Sequence, residues 1–315
     1  MNEKFKFTCP SCERGQIDRA HRCRHCGRRY NLSGLALDLR TILELPEKQW
    51  DAESFDKAYA NSPSPDSRYD YIVLRIPEFA EKYRQREKDG PMIDFLKLNK
   101  PSDILDIGCG DGQFIDEISK VLPDSRFYGI DISPFRVNRI LSHVQMHGIE
   151  NVIACLANAE RIPFSREIFD LVIMRESLEH LNNPESAFSE ASRVLKRGGH
   201  LLITTPVLHA YRFWKIASIL PAFVKRLAKG EPIFKRNMDN AYDQPLSVRR
   251  LKRIIDGNRF ITLSWRKVIF LPHESYLQFI PVPLLKTMIA ISKVIRFLPF
   301  SSFAGLHHVI ILRRR

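Results

Sequence analysis

The sequence ILDIGCGDGQF, residues Ile104–Phe114, decides the fold of this chain. Its apolar start ends in Asp106, and Gly108, Gly110 and Gly112 follow with one residue between each pair. Beyond the glycines, apolar side chains recur at helical spacing, namely Phe114, Ile115, Ile118 and Val121. The pattern predicts a strand, a glycine turn and a helix. Such a turn lets the backbone approach a ligand closely, at a helix N-terminus whose N–H groups are free to bind it.

The glycine spacing separates this turn from the dinucleotide fingerprint G-x-G-x-x-G, because Gln113 stands where the third glycine would be. The pattern D-x-G-x-G-x-G resembles motif I of the class I S-adenosylmethionine (SAM) methyltransferases. The resemblance implies a Rossmann-like α/β fold with a seven-stranded, doubly wound sheet. It also implies a SAM-binding loop formed by Asp106, Gly108, Cys109, Gly110 and Gly112.

Asp131 ends the next strand-like run, RFYGIDI. An acidic residue about 20 residues after a glycine turn suits a ribose diol, because one carboxylate accepts from both hydroxyls. The resemblance assigns Asp131 and the adjacent Ile132 to the SAM ribose. An ordinary aspartate at a strand end is the alternative interpretation.

Strands alternate with helices along the central part of the chain, which predicts a parallel sheet with its site at the carboxyl ends of the strands. The later predicted strands are Arg126–Ile132, Val152–Leu156, Phe169–Met174, Gly199–Thr205, Phe260–Phe270 and His307–Leu312. A helix over 71–88 is predicted to stop at Asp89-Gly90-Pro91, with a second helix over 92–98. The helix before the fifth strand, in RVLKRGG, is predicted to end in glycine.

The segment ANAERIPF, followed by FDLV, resembles the methyltransferase stretch that places a polar side chain on the adenine amino group. Asn158 stands where aspartate is usual, and its amide oxygen can still accept a hydrogen bond from that amino group. Asn158 and Ala159 are therefore predicted to bind adenine, and Arg175 is grouped with the cofactor residues.

The sequence RESLEHL follows the fourth strand and places Glu176, Glu179 and His180 on one face of a predicted helix. E-x-x-E-H here resembles ubiquinone-pathway O-methyltransferases and small-RNA 2′-O-methyltransferases. The resemblance implies catalytic roles and a divalent cation beside the acceptor hydroxyl, with His209 as a further ligand. The alternatives are a solvated turn without metal, or His180 as a general base.

Cys9, Cys12, Cys23 and Cys26 form C-x2-C-x10-C-x2-C. Each pair can place two thiolates on one ion, and four thiolates in tetrahedral geometry suit structural Zn²⁺. His21 and His25 are further candidate ligands for the zinc. Disulfide or redox chemistry of the cysteines is the alternative. The segment resembles the zinc ribbon found ahead of many methyltransferase domains. We therefore expect a ribbon over residues 1–40, a linker over 41–69 and a methyltransferase domain over 70–315.

The charge of the chain is unevenly distributed. Residues 205–315 carry 20 basic and 5 acidic side chains, and the whole chain of 315 residues has a net charge of +13. Such an excess indicates an anionic partner, either nucleic acid or a membrane surface. The opening MNEKFKFTCP is too polar for a signal peptide, and no apolar run approaches the ~20 residues that span a bilayer. The expected location is the cytoplasm, with peripheral contact to a membrane.

Two basic hydrophobic segments interrupt the predicted methyltransferase domain, an insertion at about 206–245 and a C-terminal stretch at about 272–302. Within the first, residues 211–230 are predicted to form an amphipathic helix that lies in lipid headgroups, binds RNA or covers a greasy acceptor. A buried helix or a dimer interface is the alternative for both segments.

The sequence therefore predicts methyl transfer from SAM to a hydroxyl or carbon of a small or lipid-like acceptor, such as a quinone precursor or a polyprenyl-linked sugar. RNA methylation is the runner-up, since both ends are basic. The N/D-P-P-Y loop of exocyclic-amine methylation and the Pro-Cys of pyrimidine C5 methylation are missing after the fourth strand. A non-catalytic SAM-binding scaffold is the third hypothesis.

Overall fold

The computed structural model describes residues 7–40, 77–217, 244–272, 277, 280–295 and 305–315. The strands are β1 (Leu32–Ser33), β2 (Ala36–Leu37), β3 (Asp103–Ile107), β4 (Arg126–Asp131), β5 (Val152–Leu156), β6 (Phe169–Arg175), β7 (Leu195–Pro206), β8 (Phe260–Val268) and β9 (His307–Arg314). The helices are α1 (Glu78–Asn99), α2 (Gln113–Val121), α3 (Pro134–Met146), α4 (Pro184–Val194), α5 (Leu208–Ala217), α6 (Val248–Gly257) and α7 (Val282–Ile295).

The main sheet has seven strands in the order β5-β4-β3-β6-β7-β9-β8. The first five are parallel, and β9 runs antiparallel to both of its neighbours. The predicted seven-stranded, doubly wound sheet is therefore confirmed. The strand order reverses between β3 and β6, and a parallel sheet binds its ligands at such a point, outside the carboxyl ends of the strands.

The sheet is covered on both faces, which is why its central strands read as nearly continuous apolar runs. All five residues of β3 are buried. Leu105 and Ile107 belong to the core on the side of α4 and α6, whereas Ile104 belongs to the core on the side of α1, α2 and α3. This alternation follows from the two-residue period of a strand.

Helix α1 continues through Pro91, so the predicted stop at Asp89-Gly90-Pro91 is wrong. A proline inside a helix costs ~3 kcal/mol because it removes one backbone hydrogen bond and crowds the preceding turn. Tertiary contacts on both sides of it offset this cost. Asp89 is buried in an ion pair, and Met92 and Leu96 are fully buried in the core.

The predicted glycine stop of the helix in RVLKRGG is also wrong, because α4 ends at Val194 and the strand β7 begins at Leu195. Leu195 is fully buried and pairs with Phe169 across the sheet. Burial of this leucine selects an extended backbone where local propensity favours another helical turn. Gly198, with a φ of 77°, then lies within the irregular start of the strand.

Residues 7–40 form a small unit, here called the ribbon, that contains the hairpin β1–β2 and the four clustered cysteines. The predicted linker over 41–69 and most of the predicted helix over 211–230 lie outside the described residues. The basic helix α6 is capped by Ser247, whose side chain accepts a hydrogen bond from the N–H of Arg250. Among the described residues, no helix is both long and apolar enough to cross a membrane.

Candidate functional site

Four neighbouring parallel strands, β5, β4, β3 and β6, end at one cleft. The loop after each strand contributes part of its wall, as the topology requires. The cleft brings together seven residues that the sequence had singled out: Gly108, Asp131, Ile132, Asn158, Ala159, Glu176 and His180. Six other candidates do not line it: Asp106, Cys109, Gly110, Gly112, Arg175 and Glu179.

The cleft wall also contains residues that the sequence analysis missed. They are Ile130, Arg136, Ala157, Glu160, Ser177, Leu181 and Asn182. Most of them lie one or two positions from a predicted residue. The rule that a parallel sheet binds ligands at the carboxyl ends of its strands therefore identifies their loops, but not which side chains line the cleft. Arg136 is different, because it enters the cleft from the first turn of α3 and has no spacing signal of its own.

The glycine turn is shaped so that a side chain could not be added at two of its positions. Gly108 has a φ of 73°, and a Cβ there would lie 2.5 Å from the Cβ of Ser177. Gly112 has a φ of 80°, and its Cβ would lie 2.8 Å from Ile140. Both positions therefore require glycine, on conformational and on steric grounds. Gly112 also caps the N-terminus of α2.

The Asp131 carboxylate connects the glycine turn to the start of α3. One oxygen accepts a hydrogen bond from the backbone N–H of Gly110 at 2.9 Å, and the other accepts from the N–H of Ser133 at 2.9 Å. A carboxylate has about four lone-pair sites, so these two bonds leave capacity for two hydroxyl donors. This arrangement fixes the carboxylate at the wall of the cleft.

Asp106 lies behind the glycine turn and is almost fully buried. Its Oδ1 has no hydrogen-bond partner among the described residues. Burial raises the pKa of Asp106 to about 7, although the positive charge of Arg175 acts in the opposite direction. A buried acceptor without a donor is costly, and such an atom commonly marks a ligand or water site.

Arg175 contacts α1 and not the cleft. Its guanidinium donates to both carboxylate oxygens of Asp89, at 2.8 and 3.0 Å, and lies over the ring of Phe114 at 5.3 Å. The pair joins the end of β6 to α1 and α2. The prediction that Arg175 binds cofactor therefore has no support from its position, and its side chain instead fixes the elements around the glycine turn.

Asn158 lines the cleft as predicted, in the loop after β5. Its Oδ1 accepts a hydrogen bond from the N–H of Glu160 at 2.8 Å. This turn orients the loop, and the N–H of Ala157 donates to the backbone oxygen of Asp131 at 3.0 Å. The loop after β5 and the loop after β4 are thus hydrogen-bonded to each other.

The predicted helical face of Glu176, Glu179 and His180 is wrong. Glu176 has a left-handed backbone with a φ of 49°, and only a short 3₁₀ turn, Leu178–His180, follows it. The N–H of Glu176 donates to the backbone oxygen of Thr204 at 3.0 Å, which prolongs the pairing with β7 past the predicted end of the strand. The three side chains therefore lose their common face.

Glu179 and Glu176 each have separate partners in the structure. Glu179 is buried and accepts a hydrogen bond from the hydroxyl of Thr205 at 3.1 Å. Glu176 pairs with His307 at 3.0 Å and with Lys88 at 3.6 Å. The four ribbon cysteines are the one cluster of potential metal ligands among the described residues. The predicted cation at Glu176, Glu179, His180 and His209 is therefore not supported by the geometry.

The charge of Glu176 is set by its surroundings. Desolvation raises the pKa of Glu176, but His307 and Lys88 outweigh it and hold this pKa well below its usual range. The cleft therefore contains a carboxylate at neutral pH. His307 comes from the last strand and Lys88 from the first helix, so sequence spacing gave no signal for either.

The ribbon brings its four cysteine Sγ atoms within 4.8 Å of one another. Two of the separations are 3.7 Å, between Cys9 and Cys26, and 3.6 Å, between Cys12 and Cys23. A tetrahedron with Zn–S bonds of about 2.3 Å has edges of about 3.8 Å, so the distances suit zinc. All four cysteines are free thiols, which argues against the disulfide alternative.

Cys12 and Cys26 differ in acidity. Backbone N–H groups of Arg14 and Gly15 lower the pKa of Cys12 to about 6. The backbone N–H of Arg28 lowers the pKa of Cys26, but desolvation and the neighbouring thiols outweigh it and raise this pKa to about 11. Four thiolates at these distances would repel one another, and a cation among them would relieve that repulsion.

Residues 98–247 match a family model described as "Methyltransferase domain". The chain is similar to a malonyl-[acyl-carrier protein] O-methyltransferase of Hahella chejuensis, with 31% identity over 121 residues that cover 38% of this chain and 42% of the relative. A demethylmenaquinone methyltransferase of Geobacillus stearothermophilus is 26% identical over 157 residues, covering 48% of this chain and 67% of the relative. This chain spans about half the length of the first three curated relatives that it matches.

A solved structure with a similar fold is a putative sarcosine dimethylglycine methyltransferase from Galdieria sulphuraria. Its TM-score is 0.51 at 14% identity, with 84% of this chain and 97% of that chain covered. At this identity the likeness concerns the fold alone. Residues 98–247, which match the methyltransferase model, contain the glycine turn and the five parallel strands of the main sheet.

The pair formed by Asp89 and Arg175 predicts a measurable loss of stability. Asp89→Ala leaves the partly buried Arg175 guanidinium without its carboxylate, and hydrogen bonds to charged groups are worth about 1.5–3 kcal/mol. We expect the free energy of unfolding to fall by about 2–3 kcal/mol in urea titrations. Asp94→Ala is the matched control, because Asp94 lies exposed on the same helix and should change stability little. Equal effects of the two substitutions would contradict the role given to the pair.

Proposed function

We propose that this protein is a SAM-dependent methyltransferase that transfers a methyl group to a hydroxyl or carbon of a small or lipid-like acceptor. The observation that carries the proposal is the single cleft formed by the glycine turn, Asp131 and the loops after β5 and β6. The names of the curated relatives, which refer to malonyl-[acyl-carrier protein] and demethylmenaquinone, support the acceptor class.

The residues around the cleft fit SAM. Gly108 lines the cleft without a side chain, so its backbone is open to close approach by a ligand. Asp106 lies behind this turn, and its buried Oδ1, which has no partner among the described residues, can accept a hydrogen bond from a donor that reaches it. In this proposal Asp131 and Ile132 hold the ribose, Asn158 and Ala159 hold adenine, and Cys109, Gly110 and Gly112 complete the glycine turn. SAM supplies an activated sulfonium methyl group for direct displacement.

The acceptor side of the proposed site contains Glu176 and His180. Glu176 is ionised at neutral pH and lines the cleft, so it is suited to orient an acceptor hydroxyl by accepting a hydrogen bond from it. His180 lines the same wall and is the candidate base. Glu179, buried against Thr205, positions the loop that carries both. In such an enzyme, orientation of the two reactants supplies much of the rate.

Isothermal titration with SAM tests the proposed function. Asp131→Ala should weaken SAM binding by about 1–3 kcal/mol, because the ribose hydroxyls lose their acceptor. Asp124→Ala removes an exposed carboxylate from the loop before β4 and serves as the control. The assignment fails if the wild-type protein does not bind SAM, or if both variants bind it as tightly as the wild type.

We also propose that the ribbon holds one structural Zn²⁺ through Cys9, Cys12, Cys23 and Cys26. The support is the close approach of the four Sγ atoms at distances that suit tetrahedral zinc. A site with four thiolates is closed, so the ion would contribute folding energy and no chemistry.

Elemental analysis of the purified protein tests the zinc proposal. We expect one zinc ion per chain in the wild type and its loss in Cys23→Ser, because the fourth thiolate is missing. His25→Ala changes a potential ligand beside the cluster and should keep the full zinc content. Full zinc in Cys23→Ser, or its loss in His25→Ala, would show that the ligand set is different.

Helix α7 is the described part of the basic hydrophobic C-terminal segment, and we propose that it contacts an anionic membrane. Leu284, Ile291 and Val294 are 53%, 51% and 62% exposed. Lys286 and Lys293 lie on the same helix, which has no acidic residue. Exposed aliphatic side chains beside basic ones are typical of helices at a lipid surface.

Co-sedimentation with liposomes tests the membrane proposal. The protein should pellet with vesicles that contain anionic lipid and be released by salt, since each basic residue near the surface contributes about 1 kcal/mol. Val294→Asp should reduce binding. Leu98→Asp is the control, because Leu98 is an exposed apolar residue on α1. Failure to pellet, combined with salt-sensitive binding of a structured RNA, would favour an RNA acceptor.

A further inference from the structure

The ribbon extends the main sheet beside the cleft. β5 is the outer strand on this side, and the segment after the ribbon hairpin runs parallel to its end. The N–H of Leu39 donates to the backbone oxygen of Leu156 at 2.8 Å, and the Leu39 side chain is fully buried. Leu156 directly precedes Ala157 and Asn158 of the cleft wall. The ribbon therefore supports the adenine-side loop through backbone pairing.

The ribbon hairpin is attached to α3 by one asparagine. Asn138 accepts a hydrogen bond from the N–H of Leu35 at 2.6 Å and donates to the backbone oxygen of Ser33 at 2.8 Å. Gly34, between them, has a φ of 64°, and a Cβ there would lie 2.5 Å from the Asn138 side-chain oxygen. The turn thus fits this asparagine closely.

Arg40 connects the ribbon to the ribose side of the cleft. Its Nη1 donates to the backbone oxygen of Ile132 at 3.1 Å. Its Nε and Nη2 donate to the two carboxylate oxygens of Asp38, at 2.9 and 2.6 Å, which orients the guanidinium. Ile132 lines the cleft next to Asp131. Arg40 therefore fixes the peptide that follows the proposed ribose ligand.

The cysteine cluster and the cleft belong to one packed unit. Thr8, next to Cys9, donates through its N–H to the backbone oxygen of Pro163 at 2.9 Å. The rings of Phe7 and Phe164 lie 5.4 Å apart, and buried Cys9 belongs to the core that includes Phe164. A unit as small as the ribbon has little core of its own, so its order depends on the metal cross-link.

We propose that the ribbon is a structural part of the cofactor cleft, and that Arg40 is a positioning residue through which zinc occupancy sets SAM affinity. The inference rests on the proposed function. When zinc leaves, the ribbon loosens, and segment 36–40 no longer fixes Ile132 and Leu156. SAM binding must then order these loops again, and that cost lowers its affinity.

Titration of SAM into four forms of the full chain tests the inference: zinc-loaded wild type, chelator-treated wild type, Arg40→Ala and Arg24→Ala. We expect SAM affinity to fall about tenfold in Arg40→Ala, as for the loss of one charge-assisted hydrogen bond, with the zinc content unchanged and the chain still folded. Chelation should weaken binding at least as much, and added zinc should restore it. Arg24→Ala removes an exposed ribbon arginine and should bind SAM like the wild type.

The variant Arg40→Lys tests whether the geometry of the guanidinium is required or only its positive charge. Lysine keeps the charge but lacks the paired donors that bind both carboxylate oxygens of Asp38, so it should restore only part of the SAM affinity. The inference is overturned if zinc-loaded wild type binds SAM while Arg40→Ala binds it within a factor of about two, less than one hydrogen bond is worth. Absence of SAM binding by the zinc-loaded wild type would instead contradict the proposed function itself.

Discussion

The two hydrogen bonds of the Asp131 carboxylate organise the centre of this molecule. They join the glycine turn after β3 to the first residues of α3. In the sequence, α2 and β4 separate these two segments. Because α3 also carries Asn138, the same helix aligns the ribbon hairpin. A change in the position of this carboxylate would therefore move the turn, the helix and the ribbon together.

Buried charge imposes a second constraint around the glycine turn. Asp106, Asp131, Asp89 and Arg175 lie close to one another, with one positive charge among three acids. Burial keeps the pKa of Asp106 near 7, so this acid does not add a full negative charge at neutral pH. Partial protonation of Asp106 thereby reduces its repulsion with Asp131.

Local patterns were sufficient to predict the sheet and the cysteine cluster. The glycine turn, the strand over Val152–Leu156 and the four cysteines depend on residues close in sequence. The errors arise where distant contacts override a local preference. Pro91 stays within α1 because Asp89 pairs with Arg175, and Glu176 leaves the predicted helix because it bonds to Thr204.

Sequence spacing gave no prediction of the residues that contact the cleft wall from distant parts of the chain. Lys88 and His307 meet Glu176 from opposite ends of the domain, and Arg40 reaches Ile132 across 92 positions of sequence. No periodicity relates residues so far apart, and only the crossover connections of the sheet bring them together. The sequence could therefore predict the glycine-turn side of the cleft better than the surroundings of Glu176.

The pairing of segment 36–40 with β5 has a consequence for the integrity of the protein. An outer strand with free N–H and C=O groups is a template on which another chain can add. The ribbon covers the end of β5 through Asp38 and Leu39. Opening of the ribbon would uncover that edge, so the zinc proposed for the cysteines would also protect the folded chain from self-association.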